Sequence, residues 1–182
     1  MKVYAITDKD KLNLCRAYLE YKDPSKRNLV LFELGLKTLL RISDILNLRV
    51  VDVYKKTTIK VRQKKTNKVV EIPIRTDLKK LLNEYCKDKP KYDYLIKSNK
   101  GYNRPISQTQ AYRILNDMAD YLNLERIGTH SLRKSGAYHI YKDTKDIDFV
   151  RRMLGHRSKE DVFTYIYSGL KTDRELINKA KF

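Results

Sequence analysis

Two runs rich in β-branched residues, Thr57 to Arg62 and Val69 to Ile74, flank the basic segment Gln63-Lys64-Lys65-Thr66-Asn67-Lys68. They read as one antiparallel hairpin. A lone hairpin cannot bury a core of its own, and the rest of the chain repeats apolar residues at helical spacing. The expected fold class is therefore mainly α with a small antiparallel β-sheet, an α+β arrangement.

The helical segments follow from their apolar stripes and breakers. Thr7, followed by Asp10, makes a capping-box-like start for a helix through about Tyr21, with Leu12, Cys15 and Leu19 on one face. After Pro24, Ser25 is expected to cap a second helix carrying Leu29, Val30, Phe32, Leu34 and Leu36, and a shorter one begins at Ser43 with Ile45, Leu46 and Leu48. Arg41 falls between these two. From Thr76 the residues Leu78, Leu81, Leu82 and Tyr85 repeat with helical period, and after the loop Lys100 to Pro105 a helix is expected from about Ser107 to Leu122. Further helices are expected over His130 to Tyr141, Asp146 to Leu154, Lys159 to Tyr167 and Asp173 to Lys181.

With 182 residues the chain suits one well-buried domain and is short for two. No internal repeat or Gly-Ser linker divides it. The apolar runs fall far short of the roughly 20 residues that span a bilayer, and Met1 to Ala5 is followed at once by the charged stretch Asp8 to Lys11. That start lacks the apolar core of a secretory leader, so a cytoplasmic location and no membrane partner are expected. Cys15 and Cys86 each fall on an apolar helical face, which points to two buried thiols. Lys and Arg total 40 against 22 acidic residues, a net charge of +18 spread along the whole chain. This favours a charged face on a folded body and a polyanionic partner, nucleic acid before others. The basic hairpin tip should project into solvent or onto such a partner.

In Thr129-His130-Ser131-Leu132-Arg133 the three-residue spacing puts an imidazole and a guanidinium on one helical face, where both can reach one anion. Thr129 is the expected cap, leaving amide groups to favour a bound phosphate. Taken alone, His-x-x-Arg also describes many surface pairs. Downstream comes Met153-Leu154-Gly155-His156, and then Tyr165 within Phe163-Thr164-Tyr165-Ile166-Tyr167.

Together with Arg41 in Leu40-Arg41-Ile42-Ser43-Asp44 and the lysine of Gln63-Lys64-Lys65-Thr66, these motifs resemble the ordered active-site set of tyrosine recombinases, the phage integrase family. The resemblance runs from about Leu29 to Leu170. It implies a site-specific DNA recombinase that cleaves and rejoins strands through a 3′-phosphotyrosyl link, supporting integration, excision or inversion. Its catalytic residues would be Arg41, Lys65, His130, Arg133, His156 and Tyr165. Two guanidiniums, Arg41 and Arg133, would clamp the non-bridging oxygens as negative charge gathers there. Tyr165, a poor nucleophile at an ordinary pKa near 10, needs a proton acceptor, and His130 is the proposed base. Lys65 would be the acid to the leaving 5′ oxygen, with Lys64 its competitor, and His156 would bond or position the phosphate. No cofactor and no metal are implied, in keeping with the absence of a GxxxxGK[ST] loop or a familiar metal-ligand spacing.

The resemblance also implies double-stranded DNA at a specific site as partner, a homotetramer on DNA with a monomer in solution as the alternative, and room for accessory DNA-bending proteins. The tail from Thr172 to Phe182 is a candidate for packing on a neighbour. Ser107, Gln108, Thr109 and Gln110 open a helix that could read the major groove, the alternative being a merely polar helix start. Arg62, Lys64, Arg104 and Arg113 are candidate phosphate contacts on charge alone. Tyr167 competes with Tyr165 but points elsewhere on the helix, His139 is expected to pack, and most of the 14 tyrosines serve amphipathic packing. Arg41 has a structural rival as ion-pair partner of Asp44 or Glu33.

Two departures from the family pattern stand out. Many relatives carry Gly-Leu before the first arginine, whereas this chain has Leu39-Leu40, so backbone packing there is expected to differ. Residues 1–182 are expected to form a single catalytic domain without the separate N-terminal DNA-clamping domain of larger members, either as a fragment or as a minimal recombinase like the fimbrial invertases. The competing functions are a DNA-binding regulator that does not cut and a type IB topoisomerase; relaxation of plasmid without a target site would identify the latter.

Overall fold

A computed structural model of the chain describes residues 4–62, 67, 69–125 and 127–168. Helix α1 (Lys9–Lys22) buries the foreseen stripe of Leu12, Cys15 and Leu19. Its cap is Asp8, not Thr7: the Asp8 carboxylate accepts from the amides of Asp10 and Lys11. A carboxylate also complements the positive end of the helix dipole, which a hydroxyl does not. Helix α2 (Arg27–Thr38) is buried nearly all round from Leu29 to Leu36, the mark of a central helix. Ser25 lies just outside it. Lys26 takes the cap position in a left-handed conformation, while Ser25 Oγ accepts from the Arg27 amide and the Asp23 carboxylate from the Asn28 amide.

Glu33 is buried in α2 and meets Arg16 at 2.6 Å and Lys37 at 2.5 Å. Two cations compensate the desolvated carboxylate, and Lys37 also reaches Asp77 at 2.9 Å. The cluster thereby ties α1 and α2 to α5 (Thr76–Cys86). Short helices α3 (Ile42–Leu46) and α4 (Val50–Val53) follow α2. The four residues of α4 are too few to leave a periodic signal in the sequence. The hairpin forms as expected, β1 (Thr58–Arg62) antiparallel to β2 (Val69–Pro73), with Ile59 opposite Ile72 and Val61 opposite Val70. Ile59, Val61 and Ile72 enter the core, and Lys60 pairs with Glu71 on the outer face.

The second half is helical: α6 (Gln108–Tyr121), α7 (Thr129–Thr144), α8 (Ile147–Leu154) and α9 (Lys159–Tyr167). The helix expected over Asp173 to Lys181 lies outside the described residues. Both cysteines are free and buried, and burial pushes each thiol up to about 11. No described helix is long and apolar enough to cross a membrane.

Two contacts set the frame for the site. Helices α2 and α7 cross at backbone distance: a Cβ on Gly136 would lie 1.9 Å from the Leu36 carbonyl oxygen, and one on Gly35 2.8 Å from Leu132 Cδ1. Beyond the main core, a second small cluster packs Ala137, Val150, Leu154, Val162 and Ile166 of α7, α8 and α9 around Leu39. Leu39 ends α2 at φ 53°, ψ 21°, in the left-handed region.

Glycine before the first arginine would hold that turn without strain. Leucine costs about 1–2 kcal/mol there, yet its side chain is fully buried, and truncating a buried leucine costs about 2–5 kcal/mol. The packing outweighs the strain. Leu39→Gly is therefore expected to lower the unfolding free energy by about 1–3 kcal/mol, measured by urea denaturation; a more stable variant would show that strain dominates.

Candidate active site

Four elements converge on the Tyr165 side chain. Helix α7 begins one residue earlier than a Thr129 cap would require: Gly128 is the cap and Thr129 the first helical residue. Ser131 turns back instead, its Oγ accepting from the Gly128 amide at 3.0 Å. This places His130 in the exposed first turn of α7 and Arg133 one turn further in, where it is 4 % exposed.

Among the described residues the Arg133 guanidinium is held at one end. Nη2 donates to the Leu154 carbonyl at 2.5 Å, while buried Nη1 has no protein partner among the described residues. That carbonyl is available because α8 ends at Gly155, whose left-handed conformation (φ 68°) reverses the chain. The reversal brings His156 edge-on to Tyr165, with ring centroids 5.1 Å apart at 82°. Tyr165 is fixed by α9, whose Val162 and Ile166 face the small core. Arg41, the cap residue of α3, adds its charge to the same place: its field reaches Arg133, His156 and Tyr165.

The electrostatics are those of a site short of negative charge. Burial first, and then Arg41, brings the Arg133 guanidinium down to about 10, against the pull of Tyr165 and Asp44. It stays charged at neutral pH. Burial followed by the Arg133 charge lowers His156. Burial raises the Tyr165 phenol, while Arg133 and Arg41 pull it back towards ionisation. The phenolic oxygen and His156 Nδ1 are, like Arg133 Nη1, buried without a protein partner among the described residues.

Of the residues singled out in the sequence, Arg41, Arg133, His156 and Tyr165 come together, and His130 lies one turn from Arg133. Lys65, like its competitor Lys64, lies outside the described residues. Glu33, one rival partner for Arg41, is engaged by Arg16 and Lys37. Tyr167 turns away, 46 % exposed and stacked on Phe163. His139 packs against the N-terminal segment, its Nε2–H donating to the Ile6 carbonyl at 3.0 Å. Sequence reasoning missed Lys134, which is 7 % exposed, and Ser168, which accepts from it at 2.8 Å. Nothing set this lysine apart among 40 basic residues, except its place between Leu132 and Ala137 on a buried stretch.

The described candidate nucleic-acid contacts are surface residues. Gln108, Thr109, Gln110, Arg113 and Arg104 are exposed. Ser107 caps α6 by accepting from the Gln110 amide at 3.0 Å, the plainer of its two readings. Arg62 is exposed and donates to the Asn67 carbonyl at 3.2 Å. Among the described residues no group of three or more His, Cys, Asp or Glu side chains is placed to hold a metal ion.

The two lowered histidines make a pH prediction. Burial depresses both His139 and His156, so below the ordinary histidine pKa of about 6.5 the unfolded chain binds more protons than the folded one. Stability is full above that value and lost as pH falls through it towards the folded-state pKa values. The melting temperature should drop between about pH 7 and 5, and His139→Asn should flatten the drop; an unchanged slope would exclude His139 as a source.

The phage integrase family model matches residues 6–171. The chain is 43% identical over 164 residues to the probable integrase/recombinase YoeC of Bacillus subtilis, covering 90% of this chain and 89% of that protein. It is 29% identical over 187 residues to tyrosine recombinase XerC of Thermodesulfovibrio yellowstonii, covering 96% of this chain and 61% of XerC. The crystal structure of XerA recombinase superposes with a TM-score of 0.75 at 20% identity, over 100% of this chain and 66% of that one. A lambda integrase (75-356) dimer bound to a COC' core site gives 0.73 at 21%, over 95% of this chain and 62% of that one. The chain thus spans nearly all of the Bacillus relative and only 50% to 61% of the Acholeplasma phage L2 and several Xer relatives. From the family match over most of its length, and from an architecture shared with Xer and integrase catalytic domains, the chain belongs to the phage integrase family, the tyrosine site-specific recombinases.

Proposed function

We propose that this chain is a catalytic unit that cleaves and rejoins double-stranded DNA at a specific site through Tyr165, supporting integration, excision or inversion. One observation carries the reading: Arg133 Nη1, His156 Nδ1 and the Tyr165 hydroxyl are all buried, all lack a protein partner among the described residues, and share the field of Arg41. Buried polar groups are seldom left so unless something else binds there. A phosphodiester supplies the missing acceptors and the missing negative charge together.

In the proposed reaction the Tyr165 oxygen attacks phosphorus and the bond to the 5′ oxygen breaks, leaving a 3′-phosphotyrosyl link. His130 takes the phenolic proton, and Lys65 gives a proton to the departing 5′ oxygen. Arg41 and Arg133 hold the non-bridging oxygens as charge gathers on them, and His156 donates to one of them. A phosphate between the two guanidiniums offsets their mutual repulsion. Attack by a 5′ hydroxyl then reverses the step, releases Tyr165 and conserves the bond energy, so neither nucleotide nor metal is called for.

Two duplexes must meet for strands to exchange, and a homotetramer on DNA is the proposed assembly. A lambda integrase tetramer bound to a Holliday junction, with a TM-score of 0.72 to this chain, supports it. Accessory DNA-bending proteins and a cytoplasmic location belong to the same reading. The exposed Gln108, Thr109, Gln110 and Arg113 are proposed to meet the DNA from α6, with Arg62, Lys64 and Arg104 on phosphates.

The test is a nicked suicide substrate carrying the cognate site, selected from DNA of the host element, incubated in EDTA with the native chain, Tyr165→Phe and Tyr167→Phe. A covalent adduct lost only in Tyr165→Phe is expected. Tight, site-specific binding without adduct would make the chain a regulator that does not cut.

A further inference from the structure

We propose that Lys134 is a positioning residue for Tyr165: it fastens the C-terminal end of α9 and sets a positive charge against the face of the Tyr165 ring. The proposal rests on Tyr165 being the nucleophile.

A lysine that is 7 % exposed is unusual, since an ammonium removed from water needs specific partners. Lys134 has them around Tyr165. Its Nζ donates to Ser168 Oγ at 2.8 Å, and Ser168 Oγ donates in turn to the Tyr165 carbonyl at 3.1 Å. Ser168 is also the residue that ends α9, its amide bonding to the Thr164 carbonyl at 2.8 Å. The same Nζ stands 5.5 Å from the centroid of the Tyr165 ring, within cation–π range. One side chain thus reaches the backbone that carries the nucleophile and the ring that must ionise.

The charge matters because the two protonation states of the ring differ. A phenolate ring is richer in electrons than a phenol ring, so a cation over its face stabilises the ionised form more. The other charged or titratable groups set against Tyr165 are Arg41 before α3, Arg133 from α7 and His156 from the turn before α9, with Asp161 behind His156. The two arginines would be shared with a bound phosphate, which neutralises part of their effect. Lys134 addresses the ring face and Ser168, so its contribution persists when the anion site is filled.

The test replaces Tyr165 by 3-fluorotyrosine and follows its ionisation by fluorine NMR in the full chain, with Lys134 intact and as Lys134→Met, Lys134→Gln and Lys134→Arg. Methionine matches the volume without charge, glutamine keeps a donor for Ser168 without charge, and arginine keeps the charge. Met and Gln are expected to raise the midpoint by about one pH unit, a tenfold smaller phenolate fraction, and Arg to restore it. Adduct formation by the same variants, with tyrosine at 165, should fall about tenfold at neutral pH and recover at higher pH. A lysine that only supports the fold would lower the melting temperature of Met and Gln without moving the midpoint, and that result overturns the proposal. The titration requires no cleavage, so a failure of the nucleophile reading, seen as adduct persisting in Tyr165→Phe, is distinguished from a failure of this one.

Discussion

Arg133→Ala is expected to slow covalent adduct formation by about 10²–10³-fold or more, the loss typical of removing one preorganised donor to a developing oxyanion. The reason lies in how the side chain is held. Nη2 is engaged by the Leu154 carbonyl and Nη1 is buried without a protein partner among the described residues, so the guanidinium is oriented before any anion arrives. Little reorganisation is then required during reaction. Arg133→Lys keeps a positive charge but cannot hold Leu154 and an oxygen of the anion in one rigid plane, and it should fall between native and alanine. Single-turnover rates on the suicide substrate, read beside DNA affinity, test this. An alanine variant that binds normally and cleaves within tenfold of native would remove Arg133 from the transition state.

Gly136→Ala is expected to carry the largest stability loss, about 3 kcal/mol or more, at or beyond the upper end for overpacking. In an unconstrained helix the same change stabilises by roughly 1 kcal/mol, so the sign itself is diagnostic. The added Cβ would sit 1.9 Å from a backbone oxygen, that of Leu36, and 2.6 Å from Leu39 Cδ2. A carbonyl cannot rotate aside as a side chain can. Helices α2 and α7 would have to part, which would disturb Arg133 on α7 and the turn after α2 that leads to Arg41. Gly35→Ala is the matched control, because the atoms nearest its Cβ belong to the Leu132 side chain. Denaturation midpoints of the two variants should differ clearly; equal and small losses would mean that the crossing has slack.

The sequence was most informative where chemistry and periodicity agree. A helix was expected over Lys159 to Tyr167, and α9 has those bounds. The hairpin was readable from its β-branched runs. Caps were less so, because Thr7 and Asp8, or Gly128 and Thr129, are neighbours that can each start a helix, and backbone geometry decides between them. The convergence of Arg41, His156 and Tyr165 rested on resemblance, since no local spacing brings residues from α3, the α8–α9 turn and α9 to one point. Lys134 was hidden for the opposite reason: its partners, Ser168 and the Tyr165 ring, lie a whole helical hairpin away in the chain. Leu39 shows a left-handed turn that the sequence conceals, because burial lets leucine stand where glycine is the usual signal.

The small cluster around Leu39 also sets how firmly α9 is attached. Among the described residues α9 commits two fully buried aliphatic side chains, Val162 and Ile166, worth about 1.5–3 kcal/mol each. That sum lies below or near the low end of the 5–15 kcal/mol that holds a whole domain together. The amides of α9 should therefore exchange with solvent through a local opening at a lower free energy than those of α2, which are released only by global unfolding. If Tyr165 is the nucleophile proposed above, such a local opening would withdraw its hydroxyl while α2 and α7, and with them Arg133, stay folded.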